Sequence, residues 1–157
     1  MIRSGCLALV AAGMLAACSV TKTYPEMQPR NLKIYGEASS GSMFSTVRAA
    51  VHIYSVDAKC RTEYQGTIRN QGRPTEIGIP AGRTSLLAVT FSSSSFLGNW
   101  NTSMRYETLL TPRAGYLYDM KISYADDIYN VALRELDPRR SSGRDLARVS
   151  ADACKPS

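Results

Sequence analysis

Apolar or aromatic side chains recur at every second position from Tyr116 to Tyr124, and this alternation narrows the fold more than any other feature of the chain. Tyr116, Tyr118, Met120, Ile122 and Tyr124 fall on one side, with Asp119, Lys121 and Ser123 on the other. Successive side chains of an extended backbone point to opposite faces, so a period of two predicts a strand with one buried and one wet face. The pattern returns along the chain. Val47, Ala49, Val51 and Ile53 oppose Arg48, His52 and Tyr54; Cys60, Thr62, Tyr64, Gly66 and Ile68 oppose Arg61, Glu63, Gln65 and Thr67. Met104, Tyr106, Thr108 and Leu110 alternate with Ser103, Arg105 and Glu107, and Tyr129, Val131 and Leu133 repeat the pattern beyond Asp126-Asp127. Thr84 to Phe91 is apolar on both faces through Leu86, Leu87, Ala88 and Val89, as a central strand is.

Turn chemistry agrees. Ile79-Pro80-Ala81-Gly82-Arg83 and Thr111-Pro112-Arg113-Ala114-Gly115 place Pro where φ is fixed and Gly where a positive φ costs little. The expected fold class is all-β: an antiparallel β-sandwich of about seven strands over residues 33–157. The one candidate helix is short, Arg144 to Ala151, weakly amphipathic through Leu146 and Val149.

The N-terminus has a different character. Arg3 leads into an apolar, small-residue run from Leu7 to Ala17, about half the length that spans a bilayer as a helix. A basic start, a short apolar core and small residues before a cut mark a secretory signal peptide over residues 1–17. Leu15-Ala16-Ala17-Cys18 resembles a bacterial lipobox. The resemblance implies cleavage before Cys18, a diacylglyceryl thioether on its sulfur and an acylated amine. Ser19 stands where, in the enterobacterial sorting rule such lipoproteins follow, Asp retains the protein at the inner membrane, so the outer membrane is expected. Residues 18–32 are polar, carry Pro25 and Pro29 and lack periodicity, which reads as a lipidated N-terminus with a flexible tether.

Cys6 leaves with the signal peptide and Cys18 takes the lipid. Cys60 and Cys154 remain as an even pair in an oxidising compartment, so a disulfide between them is expected. The chain carries 19 Lys and Arg against 13 Asp and Glu, with net charge +6. That balance suits anionic partners such as lipopolysaccharide phosphates or acidic glycans. Nucleic acid is disfavoured by export.

Ile79-Pro80-Ala81-Gly82-Arg83 followed by Leu86-Leu87-Ala88-Val89 resembles the strand–turn–strand pattern of PEGA-type and transthyretin-like modules. Pro112-Arg113-Ala114-Gly115-Tyr116-Leu117-Tyr118 is similar to a turn–strand element of small periplasmic β-sandwich lipoproteins. These segments cover residues 75–136 and imply fold and location. Such modules share no catalytic residues, so none carries over.

No constellation for catalysis is marked out. His52, the single histidine, falls on the polar side of its strand with no nucleophile or orienting acid around it. Asp126-Asp127 reads as a pair of turn formers. Ser92-Ser93-Ser94-Ser95 lacks a nucleophile-elbow context and reads as a flexible connection. Two cysteines and one histidine do not build a zinc site, and no cofactor is implied. Binding residues are expected instead. Phe96 and Trp100 sit in a polar loop, where they either cap the end of the sandwich or stack on a glycan or partner. Arg139, Arg140, Arg144 and Arg148 form the one basic cluster, either a phosphate or acidic-partner dock or a solvated tail. The expected function is a non-enzymatic outer-membrane lipoprotein that exposes a binding module to the periplasm as an accessory or structural part of the envelope. The alternative is a glycan- or lipopolysaccharide-binding lipoprotein.

Overall fold

Runs of β-branched and aromatic residues, broken by Pro and Gly, leave the backbone satisfied only by pairing between strands. A computed structural model describes residues 21–36, 45–70, 73–95, 98–125, 128–140 and 142–154. Nine strands occur among them: β1 (Leu32–Tyr35), β2 (Ser45–Val56), β3 (Thr62–Asn70), β4 (Thr75–Ile77), β5 (Ser85–Ser95), β6 (Gly98–Leu110), β7 (Leu117–Ala125), β8 (Ile128–Leu136) and β9 (Gly143–Leu146). They form a five-stranded sheet, β4-β1-β7-β8-β9, and a four-stranded sheet, β3-β2-β5-β6. Every ladder is antiparallel except β1 with β7. The fold is an all-β sandwich. Three of the nine, β1, β4 and β9, are only three or four residues long, too brief to show a period.

The core lies between the sheets. Leu32, Ile34, Tyr118, Met120, Ile122 and Leu133 face Val51, Ile53, Leu87, Val89, Phe91 and Leu110, all buried. Strand β5 lies between β2 and β6, and its Leu86 and Ala88 are buried on the opposite side from Leu87 and Val89. Gly82 and Gly115 adopt φ of 73° and 79° in their turns, and the Gly82 amide donates to the Pro112 carbonyl at 2.8 Å, tying the two turns together. Cys60 and Cys154 are joined by a disulfide, with Cα atoms 5.9 Å apart.

Three expectations are corrected. The tether drawn to residue 32 is packed on the sandwich from Thr21 onward. Thr23 bridges Thr67 on the edge of β3, Tyr24 is 5 % exposed with its hydroxyl donating to the Gly78 carbonyl, and Asn31 is buried. The Asn31 side chain donates to the Ile79 carbonyl at 2.8 Å and accepts from the Ile79 amide at 2.7 Å, doing the work of a strand partner where periodicity is absent. Next, residues 144–146 belong to β9. Arg144 and Asp145 find Glu135 and Arg134 across the ladder, partners that a helix would turn away, and among the described residues the helical content is a single 3-10 turn at Ala151–Ala153. Finally, Ser92–Ser95 is not a loose connection; it continues β5, paired with β2 and β6, where strand hydrogen bonds outweigh the poor β-propensity of serine.

Candidate binding face

The outward side of the four-stranded sheet gathers polar, aromatic and basic residues that lie far apart in sequence. Its ladder sets Arg69, Ala50, Thr90 and Arg105 in one row, and Thr67, His52, Ala88 and Glu107 in the next. A third row continues through Arg48, Ser92 and Ser103. Side-chain direction is fixed by parity against the buried Val51 and Val89 and the partly buried Tyr106.

His52 is the centre of a hydrogen-bonded chain. Its Nδ1 lies 2.6 Å from the Thr67 hydroxyl and its Nε2 lies 3.0 Å from the Thr90 hydroxyl. The Tyr64 hydroxyl lies 2.5 Å from that of Thr67, and the Thr90 hydroxyl donates to the Ala50 carbonyl at 3.5 Å. The Tyr64 hydroxyl also donates to the Lys22 carbonyl at 3.2 Å, which ties the chain to the N-terminal segment. Burial, and then the Arg105 charge, hold the His52 pKa below its ordinary value. The arrangement fixes an imidazole between threonines and gives it no acid to orient it as a base. It builds a rigid face.

Charge on this face is unevenly used. The Arg105 guanidinium donates to the Glu107 carboxylate at 2.5 Å. Arg48 and Arg69 are exposed, and no ion pair engages either among the described residues. Glu107 is the one acidic side chain in these rows.

The tyrosine pair Tyr54 and Tyr64, ring centroids 5.4 Å apart, closes the end of the face nearer the β2–β3 turn. Their neighbourhood departs from simple alternation. Ile53 pairs with Gly66 and Tyr54 with Tyr64, so Gln65 is unopposed and β3 carries a bulge. Tyr64 therefore points outward, whereas unbroken alternation puts it on the face of Gly66 and Ile68. Beyond the bulge, a cleft of about 720 Å³ is lined by Tyr24, Ile53, Ser55, Gln65, Pro80 and Arg83. Its Ser55 hydroxyl accepts from the Gln65 amide at 3.0 Å and has no base beside it.

The second charged feature closes the sandwich where β7 and β8 meet the turn before β7. Glu135 is 6 % exposed and accepts from the Arg113 guanidinium through two bonds, from Arg144 at 3.0 Å and from the Tyr118 hydroxyl at 3.0 Å. The Arg113 hydrogen bond, with that of Tyr118, holds the Glu135 carboxyl below the ordinary glutamate range against the opposing effect of burial. Arg113 also stacks over Tyr116, 3.8 Å from the ring centroid. Each group here satisfies another, so this knot holds the fold together.

The residues singled out from sequence fare differently. Cys18 and Phe96 lie outside the described residues, as do Asp126 and Asp127. Trp100 belongs to β6, two positions past the Ser95–Gly98 pair, and so is not a loop residue: β5 and β6 resume pairing at Ser95–Gly98 beyond an irregularity between Ser93 and Ser95. The basic cluster is divided. Arg144 is committed to Glu135, Arg140 lies 3.7 Å from Asp137, and Arg148 donates to the Glu107 carbonyl while its guanidinium sits 5.1 Å from the Tyr106 ring centroid. Arg139 is exposed on the β8–β9 turn. Sequence reading missed the grouping of Arg48, Arg69 and Arg105 on one face, because register brings them together. It also missed Glu135, although the inward parity of Tyr129, Val131 and Leu133 runs on to that position.

Comparison of the chain with protein-family models, curated proteins and solved structures returns no match.

Proposed function

We propose that this chain is a non-enzymatic outer-membrane lipoprotein, lipidated on Cys18, which exposes its sandwich as a binding module to the periplasm. It serves as an accessory or structural component of the envelope, with another envelope protein as its partner. The observation that carries the reading is Leu15-Ala16-Ala17-Cys18 behind a short basic-apolar leader. The disulfide between Cys60 and Cys154 supports an oxidising compartment. The polar groups around His52, Tyr54 and Tyr64 are tied to one another, which supports a rigid module over turnover.

A second reading, a glycan- or lipopolysaccharide-binding lipoprotein, is favoured by the exposed Arg48 and Arg69. Crosslinking in intact cells followed by purification through the sandwich separates the two. A reproducible protein partner is expected; crosslinks exclusively to envelope polymers favour the second reading, and no adduct of either kind counts against both.

A further inference from the structure

We infer that the outward face of the four-stranded sheet lies against the membrane that anchors the chain, and that Arg48, Arg69 and Arg105 bind the phosphates of anionic phospholipid headgroups there. The inference rests on the lipid anchor at Cys18 and adds an orientation and a ligand to it.

Reach is the first argument. Thr23 bridges Thr67, and the Thr67 amide donates to the Lys22 carbonyl at 2.8 Å, so the chain is fixed to the edge of β3 at that point. Cys18 precedes Thr23 by five residues, which extend no further than about 17 Å. From Thr67, the strand rise and strand spacing put the Arg69 backbone about 7 Å away, with Arg48 and Arg105 at about 14–16 Å. An acylated Cys18 therefore holds the β3 edge of this face within about 17 Å of the bilayer surface. A long tether would impose no such limit.

Charge is the second argument. The three arginines come from three strands and lie on one side of one sheet, with Ser92 and Ser103 between them as neutral hydrogen-bond donors. Guanidinium groups match phosphate oxygens through paired donors. Arg48 and Arg69 have no carboxylate to lose on docking, and Lys22 adds a further positive charge where the chain reaches the sheet edge. The opposite sheet face alternates signs, with Lys33 across from Glu76 and from Asp119, and Arg134 across from Asp145. The basic face is thus the one suited to an anionic surface, and a basic patch beside a lipid chain supplies the second signal that stable anchoring uses.

Co-sedimentation with vesicles tests this on the mature chain, residues 18–157, carrying Cys18→Ser, so that neither lipid nor leader contributes. Vesicles of phosphatidylglycerol mixed with phosphatidylcholine are compared with phosphatidylcholine alone, in that parent, in Arg48→Glu/Arg69→Glu and in Arg139→Glu/Arg140→Glu. Each basic residue at an anionic surface contributes roughly a fivefold factor in partitioning. The parent is expected to prefer the anionic vesicles, the Arg48/Arg69 variant to lose at least about tenfold, and the Arg139/Arg140 variant to keep its binding. Arg48→Gln/Arg69→Gln gives an intermediate loss and guards against a folding defect from charge reversal. Equal binding by parent and the Arg48/Arg69 variants overturns the inference, as does equal loss in the Arg139/Arg140 variant or capture of lipopolysaccharide with no preference for phosphatidylglycerol. Lipidation is read separately, from the mass of the native chain, so a failure of the face and a failure of the anchor are distinguished.

Discussion

Replacing Met120 by Asp tests the register of the sandwich at its centre. Met120 is fully buried on β7, opposite Ile34 of β1 and Leu133 of β8, both buried and apolar. Shortening such a side chain to Ala costs about 2–5 kcal/mol, through lost transfer free energy and the cavity left behind. A carboxylate adds the cost of burying a charge with no partner, several kcal/mol more unless the group takes up a proton. The sum reaches the whole stability of a small domain, about 5–15 kcal/mol. Lys121, the next residue, is exposed, and Lys121→Asp is expected to change stability by less than about 0.5 kcal/mol. Urea unfolding of the oxidised chain, followed by circular dichroism, compares the two. A further signature concerns pH. The buried acid has its folded-state pKa raised above the unfolded value, so its penalty shrinks as pH falls toward about 4 and grows toward neutrality. A Met120→Asp chain that unfolds cooperatively at the midpoint of Lys121→Asp, without that pH dependence, refutes the inward placement of Tyr118, Met120 and Ile122.

Three more outcomes follow from the packing. Cys60→Ser or Cys154→Ser opens a crosslink spanning 94 residues and is expected to remove about 4–5 kcal/mol on the chain-entropy model; a loss under 1 kcal/mol in urea contradicts it. Gly66 adopts φ of 152°, and a Cβ there would lie 2.5 Å from the Tyr24 backbone. Gly66→Ala should therefore detach the N-terminal segment and expose Lys22 to trypsin under native conditions, and unchanged cleavage at Lys22 argues against the packing. Glu135 has its folded pKa held below the unfolded one, so its ion-pair contribution is present above about pH 4.3 and lost as pH falls through the folded value. Glu135→Gln should be less stable at pH 7 and lose that part of the acid dependence; parallel stability curves for the two chains exclude the knot around Glu135.

What could be read from sequence was whatever depends on parity. Tyr118, Met120 and Ile122 are buried and Lys121 is exposed, because a long unbroken strand has only two faces. The disulfide was legible from the even cysteine count. Register was not. Arg48, Arg69 and Arg105 become neighbours through pairing between β2, β3, β5 and β6, and no local pattern marks them as one group. The β3 bulge at Gln65 reverses the face of Tyr64, a change that alternation alone places wrongly. The segment from Thr21 to Asn31 has no period, since it packs through single anchors, Tyr24 and Asn31, instead of a repeating face. Trp100 reads as a loop residue because its surroundings are polar and without period, whereas it belongs to β6.

The account stands most directly on the N-terminus of the mature protein. Intact-mass and peptide mass spectrometry of the chain extracted from outer membranes is predicted to find Cys18 as the first residue, carrying a diacylglyceryl thioether and an acylated amine. A mature chain with a free Cys18 thiol, or one that begins at another residue and fractionates with soluble periplasmic protein, contradicts it.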